Sequence, residues 1–324
     1  MSQELSQRAL FEAAAEGLRR LAADPRCRAA FAPAGSVLRE VLAPASLRYV
    51  MASEPASFLE RAGELRARGY RVTAAFAAPD RERDDPAYAE RVVDEYLALL
   101  AHPSVPDRFG LDLFGVGLAV SHELAVVNTG RIAAAAAARG SEVVLAMDRS
   151  PTVDAVLAVH RELADRYENV GLTLQAQLHR TARDAAAVAR PRLPVRLVKG
   201  AFGEAPEIAL GRGPALEDRY LELAGRLVDH GVRLSLATQD PQVLASAEDS
   251  GLLDRVFEIE MLYGVRPRLL RRYRDSGRPC RVHAAYGTHW WQHLLERLAE
   301  HPPMVLSALA DIGTGRGYTA EAGY

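Results

Sequence analysis

The chain has 324 residues, 49% of them hydrophobic, and its 40 basic side chains nearly balance 42 acidic ones. That is apolar mass enough for a sizeable core in one large domain or two small ones, without a net field that would draw the chain to nucleic acid or an anionic membrane. Two cysteines, Cys27 and Cys280, are too few for a disulfide framework and sit in no metal-ligand spacing.

The first ten residues, MSQELSQRAL, carry no signal-peptide pattern, and no apolar run approaches a membrane span, so a soluble cytoplasmic protein is expected. Residues 5–32 read as helices, within an N-terminal helical segment spanning 1–45. Short β-like runs then alternate with helical stretches. The runs are 46–51, 71–77, 109–116, 142–147, 171–177, 195–201, 232–238, 255–262 and 281–286. Several are near-continuous apolar runs, as parallel strands covered on both faces require. Between them, 86–101 and 216–229 place apolar residues at i, i+3, i+4 and i+7, the stripe of an amphipathic helix. Units of roughly 30 residues repeated about eight times predict an α/β fold, a (β/α)8 TIM-like barrel over 46–308. The Gly-rich stretch 309–324 reads as a flexible tail. Its Gly313-Thr314-Gly315-Arg316-Gly317 is not a nucleotide loop, since no strand leads into it and no helix follows.

One residue stands out by rarity. Lys199 is the only lysine; the other 39 basic residues are arginines. It closes the run Val195-Arg196-Leu197-Val198-Lys199-Gly200-Ala201, where small neighbours let backbone approach an anion closely. In a barrel the active site lies at the C-terminal strand ends. Those ends present Asp112, Asp148, Gln175, Gln177, Arg196, Lys199, Thr238, Gln239, Asp240, Glu258, Glu260 and Tyr286, a polar ring able to cradle a cofactor. His289 and His293, four apart on a helix, lack an obvious third metal ligand, and no metal site is expected.

The segments RLVKGAF (196–202), LQAQLHRT (174–181), ATQDP (237–241), LYGVRP (262–267) and AYGTHWWQHLLERLAEHP (285–302) resemble the proline dehydrogenase family, in its order and spacing. The resemblance runs from about Arg48 to about Leu306. It implies non-covalent FAD and oxidation of proline at the C–N bond by hydride transfer to flavin. It further implies that Arg196 lies near flavin N5, that Gln175 bonds the isoalloxazine edge, and that Lys199, Gly200 and Ala201 line the phosphates and ribityl chain. Thr238, with Gln239 beside it, and Glu300 would contact the nucleotide half. Tyr286 would pack on the substrate ring and Arg297 would bind the substrate carboxylate. The electron acceptor would be a quinone, a carrier flavoprotein or oxygen, with a peripheral place at the membrane if it is a quinone.

The chain also departs from the family. Asp112 stands where the family has a lysine, and Ala146 where it has that lysine's aspartate partner. Glu296 precedes Arg297 where the family has two adjacent arginines, and Gln239 stands in place of a histidine. Two of three carboxylate-binding cations have become acids. If both face the site, proline binds poorly, and an amine lacking a free carboxylate or carrying positive charge suits the site better. Two other readings remain at this point. One is a Schiff-base lyase using Lys199 as nucleophile; the other is a barrel without catalysis that has lost its substrate site.

Overall fold

The computed structural model describes residues 2–33, 35–78, 83–300, 302–315 and 323–324, with side chains from residue 9 onward. Three helices come first: α1 (Ser2–Ala23), α2 (Pro25–Phe31) and α3 (Val37–Ser46). There follow β1 (Val50–Ala52), α4 (Pro55–Ala67), β2 (Arg71–Phe76), α5 (Pro86–Ala101), β3 (Arg108–Leu111), α6 (His122–Ala137), β4 (Glu142–Leu145), α7 (Val153–Ala164) and β5 (Val170–Gln175). The second half contains α8 (Thr181–Val188), β6 (Pro194–Val198), α9 (Pro214–Asp229), β7 (Arg233–Ala237), α10 (Pro241–Asp249), β8 (Glu258–Leu262), α11 (Pro267–Asp275), β9 (Cys280–Tyr286), α12 (Trp291–Glu300) and α13 (Met304–Thr314).

Strands β2 to β9 pair in sequence, all parallel, and β9 closes the ring on β2 with Arg71 opposite Arg281 through Phe76 opposite Tyr286. The fold is the predicted eight-stranded barrel with helices outside. Strand β1 is not a barrel stave. It adds to β9 at Ala285 and Tyr286, above the stretch that pairs with β8.

Several helices start by one local device. Asp24, Asp85 and Asp240 each accept a backbone N–H two residues on, and each is followed by proline at the first helical position. The side chain satisfies a donor that the first turn leaves open, and proline lacks a donor the turn could not use.

The strands end earlier than their apolar runs suggest. The run 109–116 stops as a strand at Leu111, because the Asp112 carboxylate accepts the Phe114 N–H at 3.0 Å and Gly117 takes φ +113°. The run 46–51 is helical to Ser46 and extended only from Val50. The polar ends of these runs leave the sheet to build the barrel mouth.

The C-terminal end of the chain also differs from expectation. Residues 309–314 continue helix α13, and Asp311 forms an ion pair of 2.9 Å with Arg48, so this part of the Gly-rich stretch is not a flexible tail. Tyr324 is buried, stacks on Tyr263 and accepts the Gly264 N–H at 2.9 Å; residues 316–322, with Arg316 and Gly317 of the glycine motif, lie outside the described residues. At the other end Phe31 meets Trp290 edge-on at 4.6 Å and Trp291 at 5.4 Å. The tryptophan pair thus joins the N-terminal helices to α12, in a cluster that also takes in Val50 of β1.

Inside the barrel, residues alternate between the wall and the interior. At the N-terminal end the interior holds a buried ionic floor. Arg108 reaches Glu142 at 2.7 Å, Ser235 at 2.8 Å, Glu258 at 3.0 Å and Glu260 at 3.2 Å. Arg281 reaches Glu258 at 2.7 Å, and Arg71 reaches the same carboxylate at 3.0 Å.

Candidate active site

Above the floor, a cavity of about 980 Å³ opens at the C-terminal strand ends. It is at the upper end of small-molecule sites and large enough for a dinucleotide. Strands β5 to β9 supply its walls through their inward positions: Thr173 and Gln175, Arg196 and Val198, Ala237, Glu260 and Leu262, and His283. Helix α12 gives His293, Glu296, Arg297, Ala299 and Glu300, and α1 contributes Arg19.

Twelve of the site residues singled out in the sequence line this cavity: Gln175, Arg196, Lys199, Gly200, Ala201, Thr238, Gln239, Asp240, Glu260, Glu296, Arg297 and Glu300. Asp148, Gln177 and Glu258 do not, and neither do Tyr286 and Asp112. Tyr286 is fully buried on the opposite face of β9, with its ring 4.7 Å from Phe58 and 5.2 Å from Phe76. The reason is the two-residue period of the strand. Val282, Ala284 and Tyr286 face the helical layer, whereas Arg281 and His283 face the barrel interior. Asp112 lies off the cavity too, paired with Arg83 at 3.0 Å and capping Phe114.

Two inward groups, His283 and His293, were not singled out as site residues, and Glu260 of the polar ring joins them. Glu260 forms an ion pair with Arg196 through Oε1 while its Oε2 reaches down to Arg108. Burial opposes ionisation of Glu260, but Arg196, with His283 and Arg108, outweighs it and holds the carboxyl well below its usual range. The His283 Nδ1 lies 3.4 Å from the same carboxylate. Burial first, then Arg196 and Arg297, push the His283 imidazole down, and Glu260 opposes them only in part. His293 is pushed down to about 3 by burial, with Arg297 and His283 adding to it, and its Nε2 lies 3.3 Å from the Tyr49 carbonyl. Burial thus favours the neutral form of both rings. The inward register of β9, set by the charged Arg281 two positions before, was the sequence signal that pointed to His283 over Tyr286.

Lys199 is held between Asp240 at 2.6 Å and Glu217 at 3.3 Å. Burial disfavours the Asp240 carboxylate, and the Lys199 ammonium overrides this and keeps it below its usual range. Gly200 takes φ +117°, and a Cβ there would meet the Gln177 side chain at 2.3 Å. Gln177 in turn donates to the Phe202 carbonyl at 2.9 Å, so the loop after β6 is fixed by a contact only glycine permits. Thr238 accepts the Asp240 N–H at 3.2 Å and shapes the next loop. Arg297 reaches Glu300 at 2.9 Å and lies 4.0 Å from Glu296, and its Nε is enclosed without a partner. Glu296 accepts from Gln292 at 2.8 Å.

The donor set fits an anionic dinucleotide. Arg19, Arg196, Lys199, Arg212, Arg266 and Arg297 all line the cavity, and Gln175, Thr238 and Gln239 add neutral polar atoms. The enclosed Arg297 Nε is a donor that a bound group would satisfy.

No family model matches the chain. Among curated proteins it is 27% identical over 231 residues to proline dehydrogenase 1 of Bacillus subtilis, covering 70% of this chain and 76% of that one. It is 29% identical over 231 residues to proline dehydrogenase of Deinococcus radiodurans, covering 68% and 74%. Among solved structures, proline utilization A of Bdellovibrio bacteriovorus superposes with a TM-score of 0.70 at 18% identity, over 82% of this chain. A proline utilization A variant from Bradyrhizobium japonicum gives 0.60 at 20% identity, over 78% of this chain. The chain spans 33% and 32% of the length of those two larger proteins, and at these identities they bear on the fold alone. No helix among the described residues is long and apolar enough to cross a membrane. The chain is thus similar in sequence to bacterial proline dehydrogenases over about two thirds of its length, and it shares its barrel fold with proline utilization A.

Proposed function

We propose that the chain is an FAD-dependent dehydrogenase that oxidises a C–N bond of proline or a proline-like cyclic or secondary amine. One observation carries the reading. The residues that the family resemblance assigns to flavin, Gln175, Arg196, Lys199, Gly200, Ala201, Thr238 and Glu300, come together around one cavity at the barrel mouth. Bound FAD would supply the hydride acceptor. Arg196 would orient and charge-stabilise that half of the site, itself fixed by Glu260. Lys199 and the Gly200 backbone would receive the diphosphate, with Lys199 exchanging contact with Asp240 or Glu217 for a phosphate oxygen. Gln175 is already oriented by donating Nε2 to the Asp148 carbonyl at 2.7 Å. Arg297, on helix α12 at the cavity wall, would be the cation for a substrate carboxylate. The acceptor that reoxidises the flavin would be a quinone, a carrier flavoprotein or oxygen.

The test is direct. The purified protein should be yellow, release FAD on acid precipitation, and bleach near 450 nm when an amine is added anaerobically. A colourless protein that takes up no added FAD defeats the reading and favours a barrel without catalysis. The Schiff-base reading loses ground, because a lysine ion-paired with two carboxylates is not a free amine nucleophile.

A second substrate reading is favoured by a specific feature. Arg297 is shared between Glu300 and Glu296, and Glu296 lines the cavity beside it. A substrate without a free carboxylate, or with an additional positive charge, suits that pair better than free proline. The ratio of kcat/KM for proline amide to that for proline decides it: a ratio above one supports the masked-carboxylate substrate, and a ratio well below one supports proline.

A further inference from the structure

We propose that His283 is the substrate-contact residue that accepts the N–H of the amine, through its Nε2; the inference rests on the amine-oxidising reading above. The ring sits on β9 facing the barrel interior and lines the cavity. A Cβ at Gly110 would lie 3.3 Å from its Cε1, so the bare glycine on β3 gives the imidazole its place and limits how far it can swing. The Nδ1 lies 3.4 Å from the Glu260 carboxylate, enclosed and without a well-aligned hydrogen bond, and it is the side that carries the hydrogen in the neutral ring, because a lone pair there would face the carboxylate's negative charge. That leaves the Nε2 lone pair on the ring that lines the cavity.

The surrounding groups sharpen the assignment. From β6 comes Arg196, from α12 come Arg297 and His293, and from β8 comes Glu260, while β2 and β3 bring only the neutral Thr73 and Gly110. The arginines are donors and cannot receive an N–H. Glu260 is committed to Arg196 and Arg108. Glu296 and Glu300 already receive Gln292 and Arg297. Of the two imidazoles on the wall, His293 turns its Nε2 to the Tyr49 carbonyl. Burial and the two arginines keep His283 neutral and hence able to accept.

An acceptor set at the amine nitrogen discriminates against a substrate whose nitrogen lacks that hydrogen. Leaving the acceptor unmet and desolvated weakens binding by roughly tenfold to a hundredfold. The probes are proline and proline amide, each paired with its N-methyl form. Binding is measured by titration calorimetry on holoprotein whose flavin has been reduced beforehand, so that no turnover occurs. The expected result is that the better-binding amine beats its N-methyl form by that factor in the unmodified protein. The preference should collapse in His283→Phe. It should survive in His283→Gln, whose amide oxygen restores an acceptor near the Nε2 position, and also in His293→Phe. Equal preference in the unmodified protein and in His283→Phe overturns the proposal, as does a preference lost only in His293→Phe. A protein that takes up FAD and binds none of the four amines overturns the amine-oxidising reading and this proposal with it.

Discussion

The floor and the mouth of the barrel are both charged, yet they use charge differently. On the floor, Arg108, Arg281 and Arg71 converge on Glu258, with Glu142 and Ser235 taking the remaining donors of Arg108. At the mouth, Lys199 and Arg297 have partners near the cavity surface, while the Arg297 Nε and the His283 Nδ1 are enclosed without a hydrogen-bond partner. Glu260 joins the two regions, one oxygen toward Arg108 and the other toward Arg196. A buried network closed on itself holds the staves in register, whereas one left incomplete waits for a ligand. Charge content alone would not separate the two; partner counting does.

The comparison can be broken most forcefully from the floor. Glu258→Ala leaves the buried Arg281 without its carboxylate and removes one partner from Arg108, and should cost about 3–5 kcal/mol of unfolding free energy, read from urea denaturation. If the loss is under about 1 kcal/mol, the floor is not a mutually dependent network. Its pH dependence gives a related check. Burial opposes ionisation of Glu258, but Arg281 and Arg108 hold it at about 2, against an ordinary 4.5. A depressed carboxyl stabilises above its unfolded value and loses that contribution as pH falls from about 4.5 toward 2, so roughly 3 kcal/mol should disappear across that window. Urea midpoints at pH 7, 4 and 3 should follow this loss, and Glu258→Gln should flatten the slope.

At the mouth the effects should fall on ligands more than on the fold. Lys199→Ala should weaken FAD about tenfold to a hundredfold, consistent with losing a charge-assisted contact of about 1.5–3 kcal/mol, and leave a pale, cooperatively folded protein. A fully yellow variant at low added FAD would show that Lys199 does not touch the cofactor. Glu296→Arg should raise kcat/KM for free proline about tenfold, since it removes one negative charge and adds a positive one at a partly exposed position. Asp112→Lys should change that ratio by less than about twofold, because Asp112 is paired with Arg83 away from the cavity. A large gain from Asp112→Lys would move that residue back into the site.

Much of the fold could be read from the chain. Strand periodicity placed all of the barrel staves, and the amphipathic stretch 86–101 coincides with α5. The site was legible where side chains follow a strand into the mouth, as Arg196 and Gln175 do. It was obscured where a two-residue period decides orientation. Tyr286 has the chemistry of a substrate contact but lies on the wrong face, and His283 has the right face without belonging to a quoted motif. Asp112 was read as facing substrate because it ends a strand, yet a carboxylate there can fold back on the next backbone N–H. The floor network was hidden for another reason. Its members come from β2, β3, β4, β7, β8 and β9, and no local pattern links residues so far apart.

Helix α1 packs along α12 and places Arg19 on the cavity wall. The first helix is thus docked partly on the surface that a ligand would cover. Anything that binds only the docked form favours docking, by about 2.7 kcal/mol at a hundredfold excess over its dissociation constant. Peptide bonds near Arg19 should then be cut more slowly by trypsin when the cavity is filled, which makes the N-terminal helix a reporter of occupancy that needs no turnover to read.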